Sequence, residues 1–557
     1  MLIRLTIFAL LVQLGMVSVF SASLPAPTLA IVGVKIIDPR SGGVMPDATV
    51  LIDGAVVSAV GTRPAVPPGV RVVDGKGQFL IPGLWDMHTH LQAVGDASLL
   101  LYIANGVTGV RDMGSDLDFI LPLREKTMSR SLLGPRIVAA GPILDDAPSG
   151  WPFRLRVRNA AEAREAVAFL VRRRVDFIKV HDRTPREAYL AIAEETARLG
   201  IPLAGHVPGR VTIAEAIEAH QRSIEHLANF RIFTECSGGR EYRAAACRPL
   251  FERLATAGVW QTPTLAFMPV VMTIGTSAGD AERDHVAYAS PGLKKLWADN
   301  QRESGVSPDR LKAFLALAEP AGRVVADLQR AGVGVLAGCD GLVPGFCLAD
   351  ELEALVRGGL PPVAALQSAT IGPARYLGLE RSYGAIERGK AADLVLLDGN
   401  PLDDIGNIRR IRAVVRNGEF LPRSTLDGYL QKAKARFAAA GVSLPALHSS
   451  NVPHDSDAQA SMILPLPLVR RGPKVDSPFG VGREVGKHRT YQKRRVVIHG
   501  GAKPDPSAQP DVKAAADRQR QSGIGMGVSV MDAAILREPC TGEQQHPSCE
   551  GICILHI

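Results

Sequence analysis

Between residues 29 and 80 the chain alternates short apolar runs with turn-formers: LAIVGVKIID, PRSG, ATVLIDGAVVSAVG and VRVVDGKGQFLIPG. Enrichment in Val and Ile, with Asp-Gly at 53–54 and 74–75, predicts short strands joined by tight turns over 29–81. The same texture returns at 384–420 in GAIERGKAADLVLLDG and IRAVVRNGEFL. The two stretches are expected to pair as the halves of one smaller, discontinuous β-sandwich domain, 29–81 and 381–425. From 82 to 380 the period changes. FIKVHD, TPREAYLAIAEETARLG, IPLAGHV, TIAEAIEAH and SIEHL read as buried strands alternating with amphipathic helices. Thr184 with Glu187, Thr212 with Glu215 and Asn159 with Glu162 carry the N-cap-plus-glutamate spacing, and Gly200 is placed to stop a helix. Alternation sustained over so long a stretch predicts an α/β fold, a (β/α)8 TIM-like barrel or, as the alternative, a doubly wound sheet. Residues 426–557 read as a C-terminal helix and then a tail of poor periodicity and low order.

The first residues differ from the rest. Arg4, an apolar run from Leu5 to Phe20 and the small residues Ser21, Ala22 and Ser23 have the order of a secretory signal peptide, assigned to 1–28. The run is short for a membrane span. An exported protein, periplasmic or secreted, with no stable membrane span after cleavage is therefore expected. In an oxidising compartment Cys236 and Cys247 can close a loop. Cys339 and Cys347 flank an aspartate, and Cys540, Cys549 and Cys553 cluster in the tail; no spacing among the cysteines is a strong zinc signature. A formal charge of +8 spread over 557 residues, with 5% aromatics, gives no argument for nucleic acid.

The candidate chemistry starts at LIPGLWDMHTHL, where His88 and His90 stand two apart after an apolar run and share one face of a strand. Lys179 ends the strand FIKV. A buried ammonium must be paired, for example by Asp182, or lose its charge. A neutral amine can take up carbon dioxide to form a carbamate whose two oxygens bridge two cations. His206 and His226 end the next two predicted strands, and Asp340 ends the last one, GVGVLAGCDG. Together His88, His90, Lys179, His206, His226 and Asp340 supply nitrogen and oxygen ligands for two divalent metal ions. Zinc is favoured, and manganese or cobalt suits the same donors. His181 and Arg111 are weaker candidates for substrate contact. Asp86 could orient a ligand imidazole, Arg111 could pair with Asp112, and His220 and Trp260 read as surface and packing.

These residues, with NGVTGVRDMG, GPILDD, TPTL, LQSATIGPARYLGL and GAIERGKAADLVLLDGNPLDDI around them, resemble the amidohydrolase superfamily over about 29–425. The likeness is to the exported imidazolonepropionase-like branch that includes prolidase-like Xaa-Pro dipeptidases. It implies His88, His90 and Asp340 on the more buried metal, His206 and His226 on the second, and carboxylated Lys179 between them. It further implies a metal-bridged hydroxide attacking an amide or peptide carbonyl, with Asp340 as the catalytic general base. The expected substrate is a dipeptide or another small molecule such as an N-acyl amino acid. Lactone, cyclic amide or phosphotriester hydrolysis at the same metals is the alternative, followed by a binding protein without catalysis. The segment after Asp340, GLVPGFCLADELEALV, carries Cys347 and Asp350 where some relatives carry histidine. A homo-oligomer stays open.

Overall fold

A computed structural model describes residues 27–439 apart from 63, 147–152, 230, 239–240, 268–283 and 305–317. The leader assigned to 1–28, up to residue 26, and the tail from 440 lie outside the described residues, with the tail cysteines and tail histidines.

The apolar runs of the N-terminal flank form β1 (Leu29–Ile37), β2 (Val44–Asp53), β3 (Val56–Gly61), β4 (Arg71–Asp74) and β5 (Phe79–Pro82). In the middle lie β6 (Leu84–Thr89), β7 (Val107–Asp112), β8 (Arg136–Ala139), β9 (Ile143–Asp145), β10 (Arg154–Arg156), β11 (Ile178–Val180), β12 (Leu203–Gly205), β13 (Ser223–Glu225) and β14 (Trp260–Thr262). The C-terminal flank adds β15 (Leu394–Leu397), β16 (Ile411–Arg416) and β17 (Glu419–Pro422).

Both flanks join one eight-stranded sheet, in the order β17-β16-β15-β5-β1-β2-β3 with β4 beside β1. The seam is the antiparallel pair β5–β15, with Leu80 opposite Leu396. Val56 of β3 bridges back to Ala391, just before β15, and the ladders run continuously from one flank to the other. The reason is β1: its first half pairs with β4 and its second half with β5, so one bent strand serves two neighbours. Ile31, Val50, Ile52, Leu80, Leu394 and Leu396 fill the core beneath this sheet.

The middle is mixed α/β with parallel strands, in two ladders, β6-β7-β8 and β10-β9-β11-β12-β13-β14. Single hydrogen bonds span the gaps between them. Asp176 N donates to Ala139 O at 2.8 Å, joining β8 to the approach to β11. On the other side, Gln261 N donates to Gly334 O, Leu336 N to Gln261 O and Met87 N to Ala337 O, each at 2.9 Å. Segment 333–338 therefore lies between β14 and β6 without becoming a regular strand. Its glycines explain the close approach: a Cβ at Gly334 would lie 2.2 Å from the Trp260 ring, and one at Gly338 2.7 Å from Cβ of His88.

The helices of the middle include α1 (Ala160–Arg172), α2 (Arg186–Leu199), α3 (Ile213–Glu218), α4 (Arg231–Ser237), α5 (Ala244–Thr256) and α6 (Phe346–Arg357), and α7 (Arg423–Ala439) follows β17. Thr212 and Glu215 form a reciprocal capping box on α3, Asn159 accepts from Glu162 N on α1, and Gly200 ends α2 in the left-handed region. Thr184 is a correction. The residue capping α2 is Pro185, and the Thr184 hydroxyl instead binds Leu144 O and His181 O, tying the loop after β11 to β9. Among the described residues no helix is long and apolar enough to cross a membrane.

Candidate metal centre

Every residue of β6 and β7 is buried, and the polar ones among them converge. His88 and His90 leave β6 on one face, with ring centroids 5.4 Å apart. His226 follows β13, 4.7 Å from His88 and 4.8 Å from His206, which follows β12. Asp340 follows the bridging segment 333–338. Its Oδ1 lies 3.3 Å from His90 Nε2 and 3.7 Å from His88 Nε2, and its Oδ2 lies 3.5 Å from His226 Nε2.

The other ring nitrogens decide what those Nε2 atoms are. His88 Nδ1 lies 2.9 Å from Glu225 Oε2, His206 Nδ1 2.9 Å from Asp182 Oδ1, and His90 Nδ1 3.3 Å from Gly114 O. A carbonyl and a carboxylate only accept, so Nδ1 is the donor in these contacts, and in His88 and His206, where burial disfavours the charged ring, Nε2 presents a lone pair. His226 Nδ1 meets the Thr264 hydroxyl at 2.6 Å. Burial pushes His88 and His206 well below the ordinary imidazole value and lowers His226 as well. Burial also pushes the Asp340 carboxyl up, but the facing His88, His90 and His226 outweigh it and hold it well below the usual carboxylate range. Buried imidazole nitrogens gathered around a carboxylate are a donor set for cations.

Lys179 fits the same reading. Its Nζ is buried and has no hydrogen-bond partner among the described residues. Burial lowers its pKa to about 8, against the pull of Glu225 and Asp340. A side chain at residue 205 would strike Val180 O at 2.2 Å and Lys179 Cδ at 3.0 Å, so Gly205 is what lets β12 pass this lysine.

Strand alternation would send Glu225 and His226 to opposite faces. Here both face inward, because His226, Leu227, Ala228 and Asn229 all take left-handed backbone angles near φ +54. That turn swings His226 over the site while Glu225 stays beneath His88. Such backbone is costly in L-residues and is characteristic of functional sites.

Arg111 corrects a sequence expectation. It is fully buried, and its partner is Glu225 rather than Asp112. Nε donates to Met87 O, Nη1 to Ser223 and Tyr376, and Nη2 to Glu225 and Thr262. Every N–H of the guanidinium is thereby committed, leaving none for substrate. Arg111 fixes Glu225, which in turn fixes His88. Burial raises the Glu225 carboxyl, and Arg111 followed by Lys179 overcomes this to leave it below its usual value.

His181 stacks on His206 with centroids 4.0 Å apart and places Nδ1 3.7 Å from Asp145 and 4.0 Å from Asp182. His181, Asp182 and His206 form a second group with metal-ligand spacing, beside His88, His226 and Asp340. Asp86 acts on backbone: its Oδ1 accepts from His88 N and Cys339 N, both at 3.1 Å. Glu225 and Thr264 were not singled out from the sequence, and Asp182, expected beside Lys179, meets His206 instead. SIEH and TPTL contain the first two, but periodicity alone gave them no direction.

Parallel strands that end in imidazoles, a carboxylate and a buried amine define a class, the metal-dependent hydrolases. A model of the amidohydrolase family matches residues 79–421, more than half of the chain, and the chain belongs to that family. It is 23% identical over 462 residues to the ochratoxinase of Aspergillus niger, covering 71% of this chain and 86% of that protein. It is 25% identical over 400 residues to the imidazolonepropionase of Symbiobacterium thermophilum, covering 64% and 87%. Among solved structures, a putative prolidase from Bifidobacterium longum aligns with TM-score 0.58 at 23% identity, covering 73% of this chain and 99% of that one.

Proposed function

We propose that this chain is an exported, binuclear metal-dependent hydrolase of amide bonds in small substrates, dipeptides or N-acyl amino acids foremost. The observation that carries the proposal is the meeting of imidazole lone pairs and the Asp340 carboxylate beside the unpartnered amine of Lys179. The eight parallel segments, β6, β7, β8, β11, β12, β13, β14 and 333–338, are read as one barrel with the site at their C-terminal ends, where barrel chemistry sits. His88, His90 and Asp340 would hold one ion, His206 and His226 the other, with Lys179 between them as a carbamate. Zinc, manganese or cobalt would supply Lewis acidity, polarising a carbonyl and easing loss of a proton from water.

The chain's own groups do the rest. Asp340, held ionised by its histidine neighbours, takes a proton from the attacking water and delivers it to the leaving nitrogen as the C–N bond breaks. Glu225 and Asp182 keep His88 and His206 in the tautomer that presents Nε2. His181, stacked on His206, is the candidate to touch substrate. Relatives named imidazolonepropionase and prolidase support C–N bonds as the target. The disulfides Cys236–Cys247 and Cys339–Cys347 support an oxidising compartment.

The test is a panel of Xaa-Pro, Xaa-Arg and N-acyl amino acid substrates with metal-loaded protein, its chelated form and Asp340→Asn. About two ions per chain, turnover lost on chelation and almost none in Asp340→Asn are expected. Undiminished turnover after exhaustive chelation would overturn the proposal.

A further inference from the structure

We infer that the Cys339–Cys347 disulfide is a positioning device for the Asp340 carboxylate, so that the metal centre is complete only once this bond has formed. The inference rests on the proposed reading of Asp340 as ligand and base. Cys339 immediately precedes Asp340, and Cys347 is the second residue of α6. Both are buried, at 2% and 1% exposure. Between them runs DGLVPGF, which starts with Asp340 at φ +56 and passes Gly345 at φ +79. Left-handed backbone at an aspartate is disfavoured and persists only where the surroundings impose it.

The imposing contacts lie mostly on the N-terminal side of the residue. Cys339 N donates to His88 O and Asp86 Oδ1, and Asp340 N donates to His88 O at 2.7 Å. On the other side the loop is held by Trp297 Nε1 donating to Gly341 O and by the bond from Cys347 N to Val343 O. The disulfide supplies the remaining restraint, connecting the residue before Asp340 directly to α6. That helix is a firm anchor. Its buried Glu351 accepts from Ala266 N at 2.8 Å, two residues after the Thr264 that meets His226. One helix therefore steadies two ligands, Asp340 through a covalent bond and His226 through a turn.

The chemistry balances with an external disulfide as oxidant, oxidised glutathione or a protein dithiol oxidant. Two thiols lose two protons and two electrons, one S–S bond forms, and the oxidant is reduced to two thiols. A chain kept in a thiol-rich compartment would then fold with Asp340 untethered and hold the ion at that side weakly.

The experiment compares metal-loaded wild type with Cys339→Ala/Cys347→Ala and with Cys236→Ala/Cys247→Ala, whose bond joins α4 to α5 and flanks no ligand. Metal affinity is read by competition with a chelating dye, alongside Tm, kcat and KM. The 339/347 variant is expected to bind one of its two ions roughly 10–100-fold more weakly, with kcat reduced and KM little changed. The 236/247 variant is expected to lose Tm but keep metal affinity. Equal affinity for both ions in a folded 339/347 variant would overturn the inference. Wild type that binds no ion would instead sink the functional reading beneath it. Should the variant fail to fold, wild type is reduced stepwise and its thiols mapped by alkylation. Metal release in step with labelling of Cys339 and Cys347 is expected, and full labelling with both ions retained would refute it.

Discussion

The two sides of the centre are built differently. On one side His88 rests on Glu225, which rests on Arg111, all with side chains at most 1% exposed. Nothing there can turn without stranding a buried charge. On the other side His206 rests on Asp182, a loop residue 11% exposed that also accepts from Asn229 at 2.6 Å, with His181 stacked across the ring. The first side is held by fully buried strands, the second by a loop after β11 pinned through the Thr184 hydroxyl. The proposed hydrolysis would draw on both kinds of support: a rigidly held ligand, and a wall that can meet substrate.

The largest expected effect comes from breaking the buried side. Glu225→Ala should strand the Arg111 guanidinium and release His88, costing about 3–5 kcal/mol in denaturant unfolding. A stability near wild type would show that the chain of contacts carries little. Next is Glu351, which braces the Thr264 turn. Burial raises its carboxyl to about 7 from an unfolded value of 4.5. The folded value is the higher one, so its contribution is complete below about pH 4.5 and is lost as pH rises through about 7. Wild type should therefore lose stability relative to Glu351→Gln across that window, by on the order of 3 kcal/mol; parallel Tm curves for the two proteins would contradict it. On the loop side, Asp182→Ala should weaken binding of one ion by roughly 10–100-fold with little change in Tm. A fall in Tm as large as that of Glu225→Ala would erase the distinction between the sides. The smallest effect is a gain. Ala228 sits at φ +54, so Ala228→Gly should stabilise the chain by roughly 0.5–1 kcal/mol in thermal unfolding, and a loss would show that the turn is not strained.

Much of the site was legible because buried parallel strands announce themselves as apolar runs, and a polar residue ending such a run stands out. His88, His90, Lys179, His206, His226 and Asp340 were found this way, and the structure brings them together. Their supports were not legible. Arg111 lies mid-strand in VTGVRD, and nothing local distinguishes an arginine facing the interior from one facing substrate; its partner Glu225 is 114 residues away. Glu225 itself was hidden by His226, since alternation allows one of two adjacent residues to face inward and the left-handed turn at 226–229 breaks that rule. The pairing of Cys339 with Cys347 could not be inferred from spacing. Thr184 had every mark of a cap, but a hydroxyl cap and a loop tie draw on the same oxygen, and here the tie to β9 took it. The bend that lets β1 serve both β4 and β5 was not legible, because alternation marks faces, not which strand bends to serve two partners.

The seam between β5 and β15 also sets an order of assembly. Gly83, the residue between β5 and the histidine-bearing β6, donates its N–H to Asp393 O at 2.7 Å, and Leu394 to Leu397 lie along β5 itself. A nascent polypeptide emerging from the ribosome therefore exposes an unpaired β5 edge until more than three hundred further residues have been added. Pairings so distant along the chain form slowly, and open edges recruit other chains. Growing chains halted before residue 394 are accordingly the form most prone to aggregate.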